Sequence, residues 1–257
     1  MLSHHSVCSA LFSMALVLSL LPASTEPSWG QAQTPPATGK EDQAQCTDDA
    51  MLVFDASGSM AGADRIGIAG VSGAAKGNVV TRIDTVRKAL AKVLPVVAPN
   101  RRIGLVTYGP GPYDRCDNIE LKLRPAPNAA AAIMEIITPL NPAGQTPLTA
   151  AVEKAAEVLD FRNKPGTIVL LTDGEETCGG NPCKLAKIFQ SEGKQLTVHV
   201  IGYRIKDFSW TGGQGMMDTR CLSGQNGGTY TSVETADELS AALLKTLSCP
   251  MLTQAGP

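Results

Sequence analysis

An alternation of element types constrains this chain more than any other feature. Short apolar runs recur at Met51–Phe54, Ile103–Tyr108, Thr167–Thr172 and Gln195–Tyr203, with helical periodicity between them. Arg82–Val96 places Ile83, Val86, Leu90, Val93 and Leu94 on one helical face, and Pro95 and Pro99 are read as its stop. Asn128–Ile137 is an Ala-rich helix with Asn128 as its cap. Thr146–Leu159 repeats the apolar spacing through Leu148, Ala151, Val152, Ala155, Ala156 and Leu159, with Thr146 at the N-cap position. Pro182–Gln190, Met216–Ser223 and Thr235–Leu247 complete the helices. Asn118–Leu123 alternates apolar and charged residues, as a half-buried edge strand does, and Gly227-Gly228-Thr229-Tyr230 leads into a last short strand. The order predicts an α/β fold: a Rossmann-like, doubly wound, mostly parallel six-stranded sheet with helices on both faces and one antiparallel edge strand. Such sheets bind ligands outside the C-terminal ends of their strands.

Polar residues stand at those ends. Asp55-Ala56-Ser57-Gly58-Ser59 follows the first apolar run, so one carboxylate and two hydroxyls are spaced i, i+2, i+4 on small residues. That spacing can aim Asp55, Ser57 and Ser59 at one point, and oxygen donors of this kind suit a hard cation such as Mg²⁺. Gly144-Gln145-Thr146-Pro147-Leu148 places a further hydroxyl in a loop before a helix, although capping that helix is an equally direct use of Thr146. Leu170-Leu171-Thr172-Asp173-Gly174 places a second carboxylate after a second buried strand. Together these stretches resemble the von Willebrand factor type A domain and its metal-ion-dependent adhesion site (MIDAS), with matches at Asp55, Ser57, Ser59, Thr146 and Asp173. The resemblance covers roughly Cys46 to Cys249. It implies a Mg²⁺ or Mn²⁺ ion held by these five residues and completed by an Asp or Glu carboxylate from a protein partner. Glu175 and Glu176, next in the chain, would add negative charge there. Against the family, the stretch Ala61–Val80, with Gly62, Gly67, Gly70, Gly73 and Gly77, reads as an insertion at the metal face, either a surface loop or a flap that shapes partner choice.

Other functions fit less well. A net charge of −2 and 4% aromatic residues argue against a nucleic-acid partner or a stacking platform. A phosphatase of the D-x-D type needs a carboxylate where Ser57 stands, H-E-x-x-H is absent, and no base pairs visibly with Ser57 or Ser59. The chain therefore reads as a binding module and not an enzyme. A metal-dependent hydrolase and a metal-free structural version of the domain are the alternatives.

The ends point to export. Ala10–Leu21 is apolar but short for a membrane span, and Gly30-Gln31-Ala32 offers a small-residue cleavage site, although Met1–Ser6 contains no Lys or Arg. Residues 1–32 are read as a signal peptide, 33–45 as a Pro- and Gln-rich linker, 46–249 as the domain and 250–257 as a short tail, with no membrane span in the mature chain. Beyond Cys8 in the leader, six cysteines form an even set, which favours disulfides and a secreted or periplasmic setting. Cys178 and Cys183 are read as a local bridge, Cys46 and Cys249 as a staple of the domain ends, and Cys116 and Cys221 as the remaining pair. Spacing alone leaves that connectivity open.

Overall fold

The computed structural model describes residues 48–64, 80–205 and 214–249. The leader, linker and tail lie outside the described residues, as do Cys46 and residues 65–79 of the Gly-rich stretch.

Six strands, β1 (Asp49–Asp55), β2 (Ile103–Tyr108), β3 (Ile119–Ala126), β4 (Gly166–Thr172), β5 (Leu196–Tyr203) and β6 (Tyr230–Val233), form one sheet in the order β3-β2-β1-β4-β5-β6. All neighbours pair in parallel except β2 and β3, so the antiparallel strand stands at the edge, as the sequence predicts. Side chains alternate across the sheet. Leu52 and Phe54 pack in a cluster with α1 (Arg82–Val97), α2 (Ala130–Ile137) and α6 (Ala236–Leu247). Met51 and Val53 pack in a second cluster with α3 (Leu148–Val158), α4 (Pro182–Glu192) and α5 (Gln214–Gly224). Burial on both faces is why the central strands are written as nearly unbroken apolar runs.

Local chemistry sets the helix ends. Thr81 with Asp84, and Thr235 with Glu238, form capping boxes that open α1 and α6. Asn181 accepts from the Lys184 N–H at 2.8 Å to cap α4, with Pro182 in its first turn. Two expectations about helix ends need correction. Pro95 does not stop α1: it lies in the last turn, where the bond from Ala98 N to Leu94 O at 2.9 Å carries the helix past it. Asn128 does not cap α2: it turns the chain in the left-handed region at φ 53°, a conformation Asn tolerates, and Ala129 precedes the helix. The edge strand also runs further than its alternating pattern, through Pro125, which an edge position allows.

Arg101 fastens the N-terminal end of the sheet. It is 4% exposed, and its Nη2 donates to Asp48 Oδ2 at 2.5 Å and to Thr167 Oγ1 at 2.6 Å, while Nη1 donates to Leu247 O at 3.3 Å. One guanidinium therefore ties the start of β1, the start of β4 and the C-terminal carbonyls of α6, where a cation is favoured.

The disulfides differ from the expected set. Cys116 bonds to Cys178 and Cys183 to Cys221, in place of Cys178–Cys183 and Cys116–Cys221. Cys183 already belongs to the first turn of α4, which packs on α5, so it meets Cys221 with a Cα–Cα distance of 4.9 Å. The N–H of Cys178 donates to Glu176 Oε1 at 2.8 Å, and Cys178 meets Cys116 of the loop between β2 and β3 at 5.6 Å. Cys249 is also disulfide-bonded; Cys46, its expected partner, lies outside the described residues. Reducing either described bridge is expected to lower unfolding stability by roughly 2–4 kcal/mol. Non-reducing peptide mapping should recover Cys116 linked to Cys178 and Cys183 linked to Cys221; a Cys178–Cys183 peptide would contradict the assignment.

Candidate metal centre

The strand order reverses between β1 and β4: β2 lies on one side of β1 and β4 on the other. Crevices outside strand C-termini at such points are the usual ligand sites of open α/β sheets. Asp55 is the last residue of β1, and Asp173 follows the last residue of β4. Parallel register pairs Phe54 with Leu171, so the two carboxylates leave the sheet at nearly the same level.

Three loops converge over them. Ala56 N donates to Tyr108 O at 2.8 Å, Gly58 N to Gly144 O at 2.9 Å, and Gly144 N to Gly109 O at 2.7 Å. The approach requires glycine. Gly109 has φ +93°, and a Cβ there would fall 2.4 Å from Ser57 N; a Cβ on Gly144 would fall 2.6 Å from Gly109 O.

Hydrogen bonds join four of the five sequence-predicted residues. Asp55 Oδ1 accepts from Ser57 N at 2.8 Å and Oδ2 accepts from Thr172 Oγ1 at 2.8 Å. The Ser57 and Ser59 hydroxyls lie 3.0 Å apart, and Ser59 Oγ donates to Asp173 Oδ1 at 2.5 Å. Arg82 Nη1 donates to Asp173 Oδ2 at 2.8 Å. Thr146 arrives by a different route. Its N–H donates to Thr177 Oγ1 at 2.8 Å and its carbonyl accepts from Thr177 N at 3.1 Å, which lays its loop along the loop that carries Asp173.

Thr146 is not the cap of α3. The helix begins at Leu148 after Pro147, without a side-chain cap at that position, and the first-turn N–H of Thr149 donates instead to Glu176 Oε2 at 2.8 Å. Capping therefore falls to a residue from another loop. The Glu176 carboxylate is thereby held by the N–H groups of Thr149 and Cys178. His199 sits on β5 with Nδ1 accepting from Thr229 N at 3.1 Å.

Burial shapes the charge of the site. The Asp55 carboxyl is pushed up to about 6, first by burial and then by the charge of Asp173, against hydrogen bonds from Ser57 and Thr172. The buried Tyr108 phenol, paired across the sheet with Asp55, is held well above its usual value by burial and by the Asp55 charge. The donor set is oxygen only, with two carboxylates and three hydroxyls, and a dication would relieve the repulsion that raises Asp55. Among the described residues, no group of three or more His, Cys, Asp or Glu side chains is placed to hold a metal ion.

Two residues of this network escaped sequence reasoning. Thr172 reads as part of a strand, and its contact with Asp55 follows only from the pairing of β1 with β4. Arg82 is 91 positions from Asp173, and no spacing signal links them. The carboxyl of Asp55 titrates near 3.8 unfolded and about 6 folded, so the folded state binds its proton more tightly. That contribution to stability is complete below the unfolded value and is lost as pH rises through the folded one. Metal-free protein should lose roughly 3 kcal/mol from this residue across the interval. Asp55→Asn should flatten the slope, which denaturant melts in EDTA across a pH series will measure.

Residues 50–176 match the sequence profile of the von Willebrand factor type A domain. The uncharacterized protein YwmC of Bacillus subtilis (strain 168) is 27% identical over 205 residues, covering 76% of this chain and 81% of that protein. Among solved structures, the PilB minor pilin of Streptococcus sanguinis superposes with a TM-score of 0.58 at 18% identity, over 84% of this chain and 64% of that one. The pilus adhesin SpaC of Lactobacillus rhamnosus GG, in its open conformation, gives 0.56 at 17% identity, over 80% of this chain and 30% of that one. Proximal thread matrix protein 1 of the mussel byssus, with a zinc-occupied MIDAS motif, gives 0.51 at 17% identity, over 80% and 48%. The chain spans less than two thirds of each of these three solved proteins, and the likeness to them is one of fold. With the profile match and the six-stranded sheet in agreement, the chain carries a von Willebrand factor type A domain.

Proposed function

We propose that this protein is a secreted or periplasmic adhesion or scaffolding module that binds a protein partner through a divalent metal ion and has no enzymatic activity of its own. The observation that carries the reading is the oxygen cluster at the reversal of strand order, where buried Asp55 and Asp173 stand with Ser57 and Ser59 in one hydrogen-bonded chain. Asp55, Ser57, Ser59, Thr146 and Asp173 would hold the ion, Mg²⁺ or Mn²⁺. Bound there, it supplies a Lewis-acidic position that an Asp or Glu carboxylate of the partner can fill. The chain's own residues do the rest. The paired loops fix the direction of the hydroxyls, and burial of Asp55 removes competing water from the inner side of the site. Thr146, relieved of helix capping by Glu176, has its hydroxyl available for that shell.

Several observations support the setting. The two described disulfides fit an oxidising compartment, and no helix among the described residues is long and apolar enough to cross a membrane. Solved proteins with this fold include a minor pilin, a pilus adhesin and a byssus matrix protein.

Calorimetric titration of the purified protein with Mg²⁺ and Mn²⁺ is expected to show saturable binding that Asp55→Ala abolishes. Far-ultraviolet dichroism should show the variant folded. A pull-down from the source organism's extracytoplasmic fraction should retain a partner in Mg²⁺ that EDTA releases and that the variant fails to retain. Equal metal binding by parent and variant would overturn the assignment of Asp55, and a partner kept equally in EDTA would overturn the metal-bridged mode.

A further inference from the structure

Both oxygens of Asp173 are engaged by the chain itself: Oδ1 accepts from Ser59 Oγ at 2.5 Å and Oδ2 accepts from Arg82 Nη1 at 2.8 Å. The Asp173 side chain is fully buried, while that of Arg82 is 28% exposed, so the guanidinium closes the site from the solvent side. Arg82 is brought there by its backbone. It is the first residue of α1, its N–H donates to Gly62 O at 2.9 Å, and the capping box of Thr81 and Asp84 fixes the turn that carries it. Gly62 in turn follows the short 3-10 turn Gly58–Ala61, which contains Ser59. The contact is therefore part of the framework of the site.

The electrostatics give it a purpose. Two carboxylates share one buried place, and like charges set there repel one another. A positive group against Asp173 offsets that repulsion. A divalent ion would offset it too, and would compete for the same carboxylate while repelling the guanidinium. We propose that Arg82 is an internal counter-cation of this site: it balances the charge of Asp173 when metal is absent and must give up that contact when metal binds. It thereby weakens metal affinity and makes the protein respond to metal concentration. Arg82 is a positioning residue in this scheme and not a metal ligand. The inference rests on the metal-binding reading above.

The test uses the full chain with Arg82→Gln, which removes the charge, and Arg82→Lys, which keeps it. Calorimetry with Mg²⁺ should show Arg82→Gln binding about tenfold or more tightly than the parent, with Arg82→Lys close to the parent. Melting in EDTA should be lower for Arg82→Gln than for the parent, and the gap should close in saturating Mg²⁺. A merely structural arginine would lower both melting points and would not tighten binding. If the parent binds Mg²⁺ and Arg82→Gln binds equally or more weakly, the counter-cation role is wrong and the metal site stands. If neither parent nor variants bind metal, the metal reading itself fails and this inference with it. If Arg82→Gln is folded only after Mg²⁺ is added, the proposal is supported. In the parent alone, the Arg82 Nε–H resonance should shift during Mg²⁺ titration; a resonance that stays put while metal binds would overturn the proposal.

Discussion

Two like charges set at neighbouring strand ends govern this domain's chemistry. Parallel pairing of β1 with β4 brings Asp55 and Asp173 to one place, and the sheet buries both. Water cannot screen them there, so the chain must supply compensation. It does so with donors: the Ser57 N–H and the Thr172 hydroxyl on Asp55, the Ser59 hydroxyl and the Arg82 guanidinium on Asp173. The loops that deliver these donors must approach so closely that Gly109 and Gly144 have no room for a side chain. Much of the C-terminal face of the sheet is thus explained by one electrostatic problem and its local solutions.

What could be read from the sequence divides along a physical line. Periodicity and strand-end position report interactions within a few residues or within one face of an element. They gave the six strands and the antiparallel edge, and they put Asp55 and Asp173 at strand ends. Contacts between residues distant in the chain leave no such trace. Glu176 capping α3, Thr172 bonding Asp55 and Arg82 pairing with Asp173 all depend on which loops the sheet order makes neighbours. The same holds for the disulfides. A spacing of four residues between Cys178 and Cys183 looks like a closed loop until the second cysteine proves to lie inside a helix that faces elsewhere. Pro95 shows the converse, a strong local breaker overridden because it falls where the helix has few bonds left to lose.

The opposite end of the sheet holds by other means. Arg101 ties β1, β4 and α6 through one buried guanidinium, directly beneath the two strands whose far ends carry the carboxylates. Each of these central strands is therefore fixed at its base by an ion-paired cation and presented at its tip to loops of glycine and hydroxyl residues. A pair of strands held in this way resists sliding, which keeps the separation of Asp55 and Asp173 a property of the sheet and not of the loops.

The two disulfides close consecutive stretches of chain, residues 116–178 and 183–221. Between Cys116 and Cys221 only residues 179–182 lie outside both closed stretches. Tension between Cys116 and Cys221 would travel across one bridge, along that short link, and across the next. The backbone of α3, β4 and the whole of β5 would be bypassed and could not be paid out as slack. Thr146 and Asp173 lie inside the first closed stretch, whereas Asp55 lies outside both. The chain that carries Thr146 and Asp173 is thus covalently closed, while Asp55 is held to it by the pairing of β1 with β4.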